Sequence, residues 1–343
     1  YSAMIPKKVI LDCDPGSDDA IAMMLAMKSD AIDLIGVTTV NGNRIVPKTT
    51  ENALRVVQFM KVSVPVYRGC EEPIICNEIP GRKPGLPRVT LNDCHGDFLP
   101  LPAAKIRTEK EHAVFYLVKT LMESEGDIYV AAVGPLTNLA MALRIEPKIA
   151  GKIKQLVIMG GGHCGANASP AAEFNFYADP EAAKIVMDSA IPKVILPLDA
   201  TWRACLSEEK CKELAQLGTP EAKVAAALVQ KRIDNLKVND VSEHNYALRH
   251  QAGTVAGAML YRYDNHMAPI HDALAIAYLI DENVVTELAD ANVDIDIAGG
   301  LCDGRMVADF HNTKKCKAPV TAKVALNSDA GLFTDMLFAA LGK

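Results

Sequence analysis

The sequence predicts an α/β fold: an open, mostly parallel sheet flanked by helices, with a helical insertion near the active site. Two observations predict it. Apolar runs of strand length at 9–11, 34–40, 128–133, 156–159 and 194–198 alternate with longer runs that have helical periodicity. Each apolar run closes on Gly, Pro, Asn or Asp, and strand–helix–strand order with such turns implies right-handed parallel crossovers. With 343 residues, 50% of them hydrophobic, the chain can bury a large core. No repeat or low-complexity linker divides it, so 4–343 reads as one domain, with Tyr1-Ser2-Ala3 an addition ahead of Met4.

The first strand runs into Asp12-Cys13-Asp14-Pro15-Gly16-Ser17-Asp18-Asp19, where Pro15-Gly16 breaks the strand and Ser17 to Asp19 open an apolar helix. Four carboxylates crowded into one turn repel unless a cation or hydrogen-bond donors offset them. Oxygen donors of this kind select a hard cation, Ca²⁺ or Mg²⁺, and a helix N-terminus also favours acids. The plainer alternative makes Asp18 and Asp19 helix caps and leaves Asp12 and Asp14 in solvent. Against it, Asp12 and Asp14 alternate out of an apolar strand and so share one face. An EF-hand loop starting at Asp12 is excluded, because its sixth and twelfth positions hold Ser17 and Met23. An Mg²⁺ phosphohydrolase with Asp12 as nucleophile stays open, although the haloacid-dehalogenase pattern continues Gly-Thr where this chain has Pro15-Gly16.

The second strand, 33–40, ends in Asn41-Gly42-Asn43, whose amides can point at the same site. A helix over 52–60 and a short strand over 64–67 follow. The stretch 70–102 is rich in Pro and Gly, has no periodicity, and reads as a lid carrying His95-Gly96-Asp97-Phe98. Beyond it come a helix over 111–123, a strand over 128–133, and a turn at Gly134-Pro135-Leu136-Thr137-Asn138 into another helix. The strand 156–159 opens onto Gly160-Gly161-Gly162, which lacks both P-loop and dinucleotide spacing, so these glycines serve close backbone approach. Asp179-Pro180 starts a helix, as N-cap and first helical residue. The strand 194–198 ends at Asp199. Over 201–263 the pattern turns helical, with starts at Ser207 and Thr219, and reads as an insertion over the sheet edge. His271-Asp272 opens an apolar helix, and strands near 293–297, 305–310 and 321–326 complete the chain. Ligands of open α/β sheets bind beyond the carboxyl ends of strands, so the turns at Asp14, Asn43, Gly134, Met159 and Asp199 should converge.

A net charge of −6 without charged runs argues against a nucleic-acid surface and for a small-molecule partner. No apolar run reaches the ~18 residues of a membrane helix, and the start lacks a signal peptide's apolar segment. Nine scattered cysteines without a Cys-x-x-Cys pair fit a reducing, cytoplasmic setting.

Asp12-Cys13-Asp14-Pro15-Gly16-x-Asp18-Asp19, together with Thr38-Thr39-Val40-x-Gly42-Asn43, Met159-Gly160-Gly161-Gly162, Glu173-Phe174-Asn175 and His271-Asp272, closely resembles the nucleoside hydrolases, over most of the chain. The resemblance implies hydrolysis of the N-glycosidic bond of a ribonucleoside, inosine first and guanosine with it, in purine salvage. It implies one Ca²⁺ held by Asp14, Asp19, Asp272 and the Val133 carbonyl. Asp14 would be the general base toward the attacking water, Asn43 would orient that water, and Asp12 would support by hydrogen bonding. Asp18, Asn175 and Asp272 would bind the 2′- and 3′-hydroxyls, and Asn167 and Glu173 the 5′-hydroxyl. Met159 would face the sugar or base, and His271 would protonate the departing base. His95 matches a lid histidine, although Asp97-Phe98-Leu99-Pro100 replaces the usual glycine-rich continuation. With Trp202 as its one tryptophan, the chain has no two-tryptophan sandwich for a purine, so Trp202, Phe98 or tyrosines of the insertion are the candidate stackers. The resemblance also implies a homodimer or homotetramer. A catalytically silent nucleoside-binding protein is the alternative from another class.

Overall fold

The computed structural model describes residues 5–80, 82, 96–238, 267–311 and 319–343. Its centre is a nine-stranded sheet. In spatial order the strands are β10 (Met306–Asp309), β9 (Val285–Ile295), β11 (Ala322–Ser328), β6 (Lys193–Leu196), β5 (Ile153–Met159), β4 (Ile128–Ala132), β1 (Lys7–Cys13), β2 (Ile32–Thr39) and β3 (Val66–Arg68). Only β9 runs against the rest. The mostly parallel, helix-flanked sheet is therefore as expected.

The order places β1 beside both β2 and β4, so the chain leaves β1 toward one side of the sheet and later builds β4 on the other. A crevice opens at the carboxyl ends of such a pair, and the acidic turn sits there. Strand β1 is buried on both faces: Val9 and Leu11 pack into one core and Ile10 into the other. Helix α1 (Ser17–Lys28) is buried from Ser17 to Ala26 instead of along a single stripe. It is covered by α2 (Val46–Met60), α9 (Pro220–Val238), α10 (His271–Ile280) and α11 (Ala330–Leu341). The opposite face carries α3 (Ala113–Glu123), α4 (Thr137–Ile145) and α6 (Pro180–Asp188), which enclose the second core.

Three expectations are corrected. The segment after 201 is not purely helical: β7 (Cys205–Ser207) pairs antiparallel with β8 (Met267–Pro269), aligning Cys205 with Pro269. Between them stand α8 (Glu208–Gln216) and α9, and α9 lies against the central α1 rather than over a sheet edge. The expected strand 194–198 stops at Leu196, and Asp199 belongs to a one-turn helix, α7 (Leu198–Thr201). Helix α5 (Phe174–Ala178) and the C-terminal α11 were not anticipated. No helix among the described residues is long and apolar enough to cross a membrane.

Candidate active site

The acidic turn is built by hydrogen bonds that aim backbone donors at side-chain acids. Asp19, in the first turn of α1, accepts from Gly16 N at 3.1 Å and from Asp14 N at 3.1 Å. Asn43, beyond β2, gives its backbone N–H to Asp14 Oδ2 at 2.6 Å and its amide Nδ2 to the Asp14 carbonyl and to Asp19 Oδ2. Asn52 Nδ2 donates to the Pro15 carbonyl at 3.0 Å and fixes the turn from α2. A side chain at Gly42 or Gly134 would run into the Asp14 carboxylate, so both positions are held to glycine by close approach.

Asp272 enters from the start of α10, on the element that packs against α1. One carboxylate oxygen each of Asp18, Asp19 and Asp272 lies within 4.8 Å of the others, and all three residues are buried. Asp19 also lies within hydrogen-bonding reach of the Asp14 carboxyl. Burial, reinforced by repulsion from neighbouring acids, pushes Asp14 and Asp272 well above the usual carboxylate range. Arg232 from α9 approaches the same turn, with Nη1 3.3 Å from Asp18 Oδ1 and 3.2 Å from Ser17 Oγ.

Asp12 stands one layer deeper. Its Oδ1 accepts from Thr38 Oγ1 at 2.6 Å and Asn138 Nδ2 at 2.7 Å, while its buried Oδ2 has no partner among the described residues. Burial raises this acid from 3.8 to about 6. Held in this way, Asp12 is not placed to attack a substrate, which removes the structural basis for the phosphohydrolase alternative. A cluster of buried hard-oxygen donors, with an orphaned carboxylate oxygen behind it, fits a divalent hard cation.

The other expected residues divide. The Val133 carbonyl, at the end of β4, accepts from Asn175 Nδ2 at 2.9 Å, and the same amide reaches the Met159 carbonyl at 3.0 Å and its Sδ at 3.4 Å. Asn175 thus ties together the ends of β4 and β5. Met159 is core as well as site neighbour, being 3% exposed. Glu173 caps α5, accepting from Asn175 N and Phe176 N, and also holds Gly161 N at 2.8 Å. Gly161 has a positive φ of 73°, and a Cβ there would lie 2.8 Å from the Phe176 ring. Asn167 is exposed and accepts from Phe174 N through its side chain. His95 and residues 239–263 of the insertion lie outside the described residues. Trp202 is 6% exposed against Leu198 and Gly165, as a core residue is, and Phe98 is exposed under the Arg55 guanidinium.

Sequence reasoning placed Asp199 among the converging turns and named Thr38 and Asn138 in its motifs, but it missed that these residues hold the site from behind, and it missed Thr201 and Arg232 altogether. Asp199 accepts from His163 N at 2.7 Å and Cys164 N at 2.9 Å and so fixes the glycine loop. Thr201 Oγ1 lies 2.8 Å from His271 Nδ1. The signal for Asp199, Thr201 and Asn138 was their place at strand ends on the site side; nothing in the sequence pointed to Arg232.

The chain matches the family model described as inosine-uridine preferring nucleoside hydrolase over residues 9–335. It is 36% identical over 337 residues to the pyrimidine-specific ribonucleoside hydrolase RihB of Escherichia coli, covering 96% of this chain and 95% of that one. Among solved structures it superimposes on the plant nucleoside hydrolase PpNRh1 with a TM-score of 0.82 at 26% identity, covering 98% of this chain and 99% of that one. A purine-preferring ribonucleoside hydrolase from Gardnerella vaginalis gives a TM-score of 0.81 at 25% identity, covering 98% of each chain. With this match along nearly its whole length and a buried acid cluster at the carboxyl ends of its parallel strands, the chain belongs to the nucleoside hydrolase family, enzymes that cleave the N-glycosidic bond of ribonucleosides.

Proposed function

We propose that the chain is a calcium-dependent ribonucleoside hydrolase in which Asp14 is the general base. The observation that carries this reading is the convergence of buried Asp14, Asp18, Asp19 and Asp272 where β1, α1 and α10 meet. Asp14, Asp19, Asp272 and the Val133 carbonyl are the residues to hold the cation, with Asp18 beside them. When bound, calcium would neutralise the acids, fix the ribose 2′- and 3′-hydroxyls and make the attacking water more acidic.

The chain's own groups supply the rest. Asp14, its Oδ2 fixed by Asn43 N, accepts a proton from the water that adds to C1′ as the bond to the base breaks. Asn43, locked to both Asp14 and Asp19, orients that water. Asp18, Asp272 and Asn175 bind the ribose hydroxyls, and Asn167 and Glu173 meet the 5′ end. His271 assists the departing base from the start of α10. The oxocarbenium-like sugar is stabilised by the surrounding carboxylates, as in other glycoside hydrolyses.

For the base, uridine and cytidine stand ahead of the inosine expected from the sequence. The supporting fact is the pyrimidine specificity in the name of the relative at 36% identity. Inosine is the second reading, favoured by the description of the matching family model.

The test is ribose release from uridine, cytidine, inosine, guanosine and adenosine, with and without a chelator, in the wild type and in Asp14→Asn. Chelator-sensitive release, led by uridine and reduced at least about 100-fold in Asp14→Asn, is the expected result. Release led by inosine would overturn the pyrimidine order, and near-normal hydrolysis by Asp14→Asn would overturn the mechanism. Bound but uncleaved nucleoside would mean a silent binding protein.

A further inference from the structure

The loop that follows β5 is held from outside by a residue that the acid cluster does not use. Asp199, 3% exposed in the one-turn helix α7, accepts at one carboxylate oxygen from His163 N at 2.7 Å and at the other from Cys164 N at 2.9 Å. From the same turn, Leu198 N donates to the Gly161 carbonyl at 3.0 Å. Trp202 lies beneath: a Cβ at Gly165 would come 2.6 Å from its ring, so the loop rests directly on it. These contacts fix residues 161–165 against the end of β6. The second half of the loop closes on itself, with Asn167 N and Ala168 N both donating to the Ala172 carbonyl. The two halves meet at Glu173, whose Oε2 accepts from Gly161 N at 2.8 Å. Asn167 Oδ1 accepts from Phe174 N at 2.9 Å, which orients its amide and leaves Nδ2, on an exposed residue, with no partner among the described residues.

We propose that Asp199 is a positioning residue for the 5′ end of the sugar: by holding His163 N and Cys164 N it sets the glycine loop so that Asn167 and Glu173 meet the ribose 5′-hydroxyl. This rests on the hydrolase reading above and deepens it, because recognition of that hydroxyl then depends on a residue behind the loop. Asp199 is buried with both oxygens engaged, so it acts through the loop and not on the substrate. Gly161 is the link. Its carbonyl is tied to Leu198 N and its N–H to Glu173, so a shift of the loop away from α7 moves Glu173 with it. A carboxylate suits the task, since it accepts at both oxygens and its bonds from N–H donors are about twice as strong as neutral ones. Asparagine could accept at only one position and would turn its own N–H toward the other backbone donor. The anchor is itself fixed to the sheet, because Ser328 Oγ from β11 donates to the Ala200 carbonyl at 2.7 Å.

The test is the ratio of kcat/KM for a ribonucleoside to that for its 5′-deoxy analogue, measured on the uridine and the inosine pairs in wild type and Asp199→Asn. Wild type is expected to favour the 5′-hydroxyl by about 10- to 100-fold, the span of one hydrogen bond to a charged group. Asp199→Asn should lose most of that preference, through a fall of about tenfold or more on the ribonucleoside with the 5′-deoxy analogue changed by less than about threefold. General loosening of the fold would lower both substrates equally. Equal losses, or a preference left intact, would overturn the assignment. A second readout uses the wild type alone. Cys164 is exposed, yet its N–H is bonded to a buried carboxylate, so site-resolved hydrogen exchange of the substrate-free protein should show the His163 and Cys164 amides protected by at least about 100-fold over unstructured chain. Fast exchange at both would overturn the proposal even if Asp199→Asn does not fold. A wild type that cleaves neither uridine nor inosine would refute the hydrolase reading instead, with the exchange rates still deciding whether Asp199 holds the loop.

Discussion

Asp12→Asn is expected to stabilise the metal-free protein above neutral pH while leaving its stability at acid pH little changed. Asp12 is 1% exposed, its Oδ2 has no partner among the described residues, and burial lifts it from 3.8 to about 6. For an acid whose folded value is raised, the native state binds more protons than the unfolded state between the two values, so stability falls as pH rises through that window. The penalty is absent below about pH 4 and complete above about pH 6. Two units at 1.36 kcal/mol each amount to about 3 kcal/mol. Asparagine resembles the protonated acid, and its Oδ1 keeps the acceptor that Thr38 and Asn138 require. For a chain of this length the unfolding entropy is about 0.7 kcal/mol/K, so the melting temperature should rise by about 4 °C. The assay is thermal unfolding of chelator-treated wild type and Asp12→Asn at a series of pH values between 4 and 8. A variant no more stable than wild type at pH 8, or a difference between the two that does not vary with pH, would refute the reasoning.

Arg232→Gln removes the cation beside Asp18, and the melting temperature of the metal-free protein should fall by about 2 °C. With calcium added the loss should be smaller, because a second positive charge then offsets the same acid, and equal losses in both conditions would count against that role. Gly161→Ala combines a left-handed φ with overlap against Phe176 and Met306, and should cost about 2–3 kcal/mol in urea unfolding. A neutral result there would mean that the glycine loop can shift away from Phe176.

The acidic turn was legible because its chemistry is local. Asp12, Asp14, Asp18 and Asp19 lie in one strand-to-helix turn, and few arrangements of so many acids are stable without a cation. The strands β1, β2, β4 and β5 were legible for a related reason, since strands buried on both faces read as continuous apolar runs. What was not legible depends on distant pairing. Strands β7 and β8 are three residues each and lie some sixty positions apart, so neither has a periodicity to detect. Helix α5 is a single turn whose start rests on Glu173, a residue that resemblance assigned to substrate. The contacts from Thr201 to His271 and from Arg232 to Asp18 span 70 and 214 residues, and only the folded chain brings them together. Trp202 reads as a stacking surface by composition and is core by burial.

The β7–β8 ribbon ties two supports of the acid cluster to one point. Cys205 aligns with Pro269, and Ile270 N donates to the Ala204 carbonyl at 2.7 Å, so the chain's exit toward the insertion and its return are clasped just ahead of His271 and Asp272. The span closed by this clasp carries α9, which packs on α1 and brings Arg232 to Asp18, while the chain that leaves it opens α10 with Asp272 in its first turn. A change that opened the ribbon would therefore release both supports together, and a few backbone pairs far from the acidic turn in sequence set the spacing of the carboxylates that meet there.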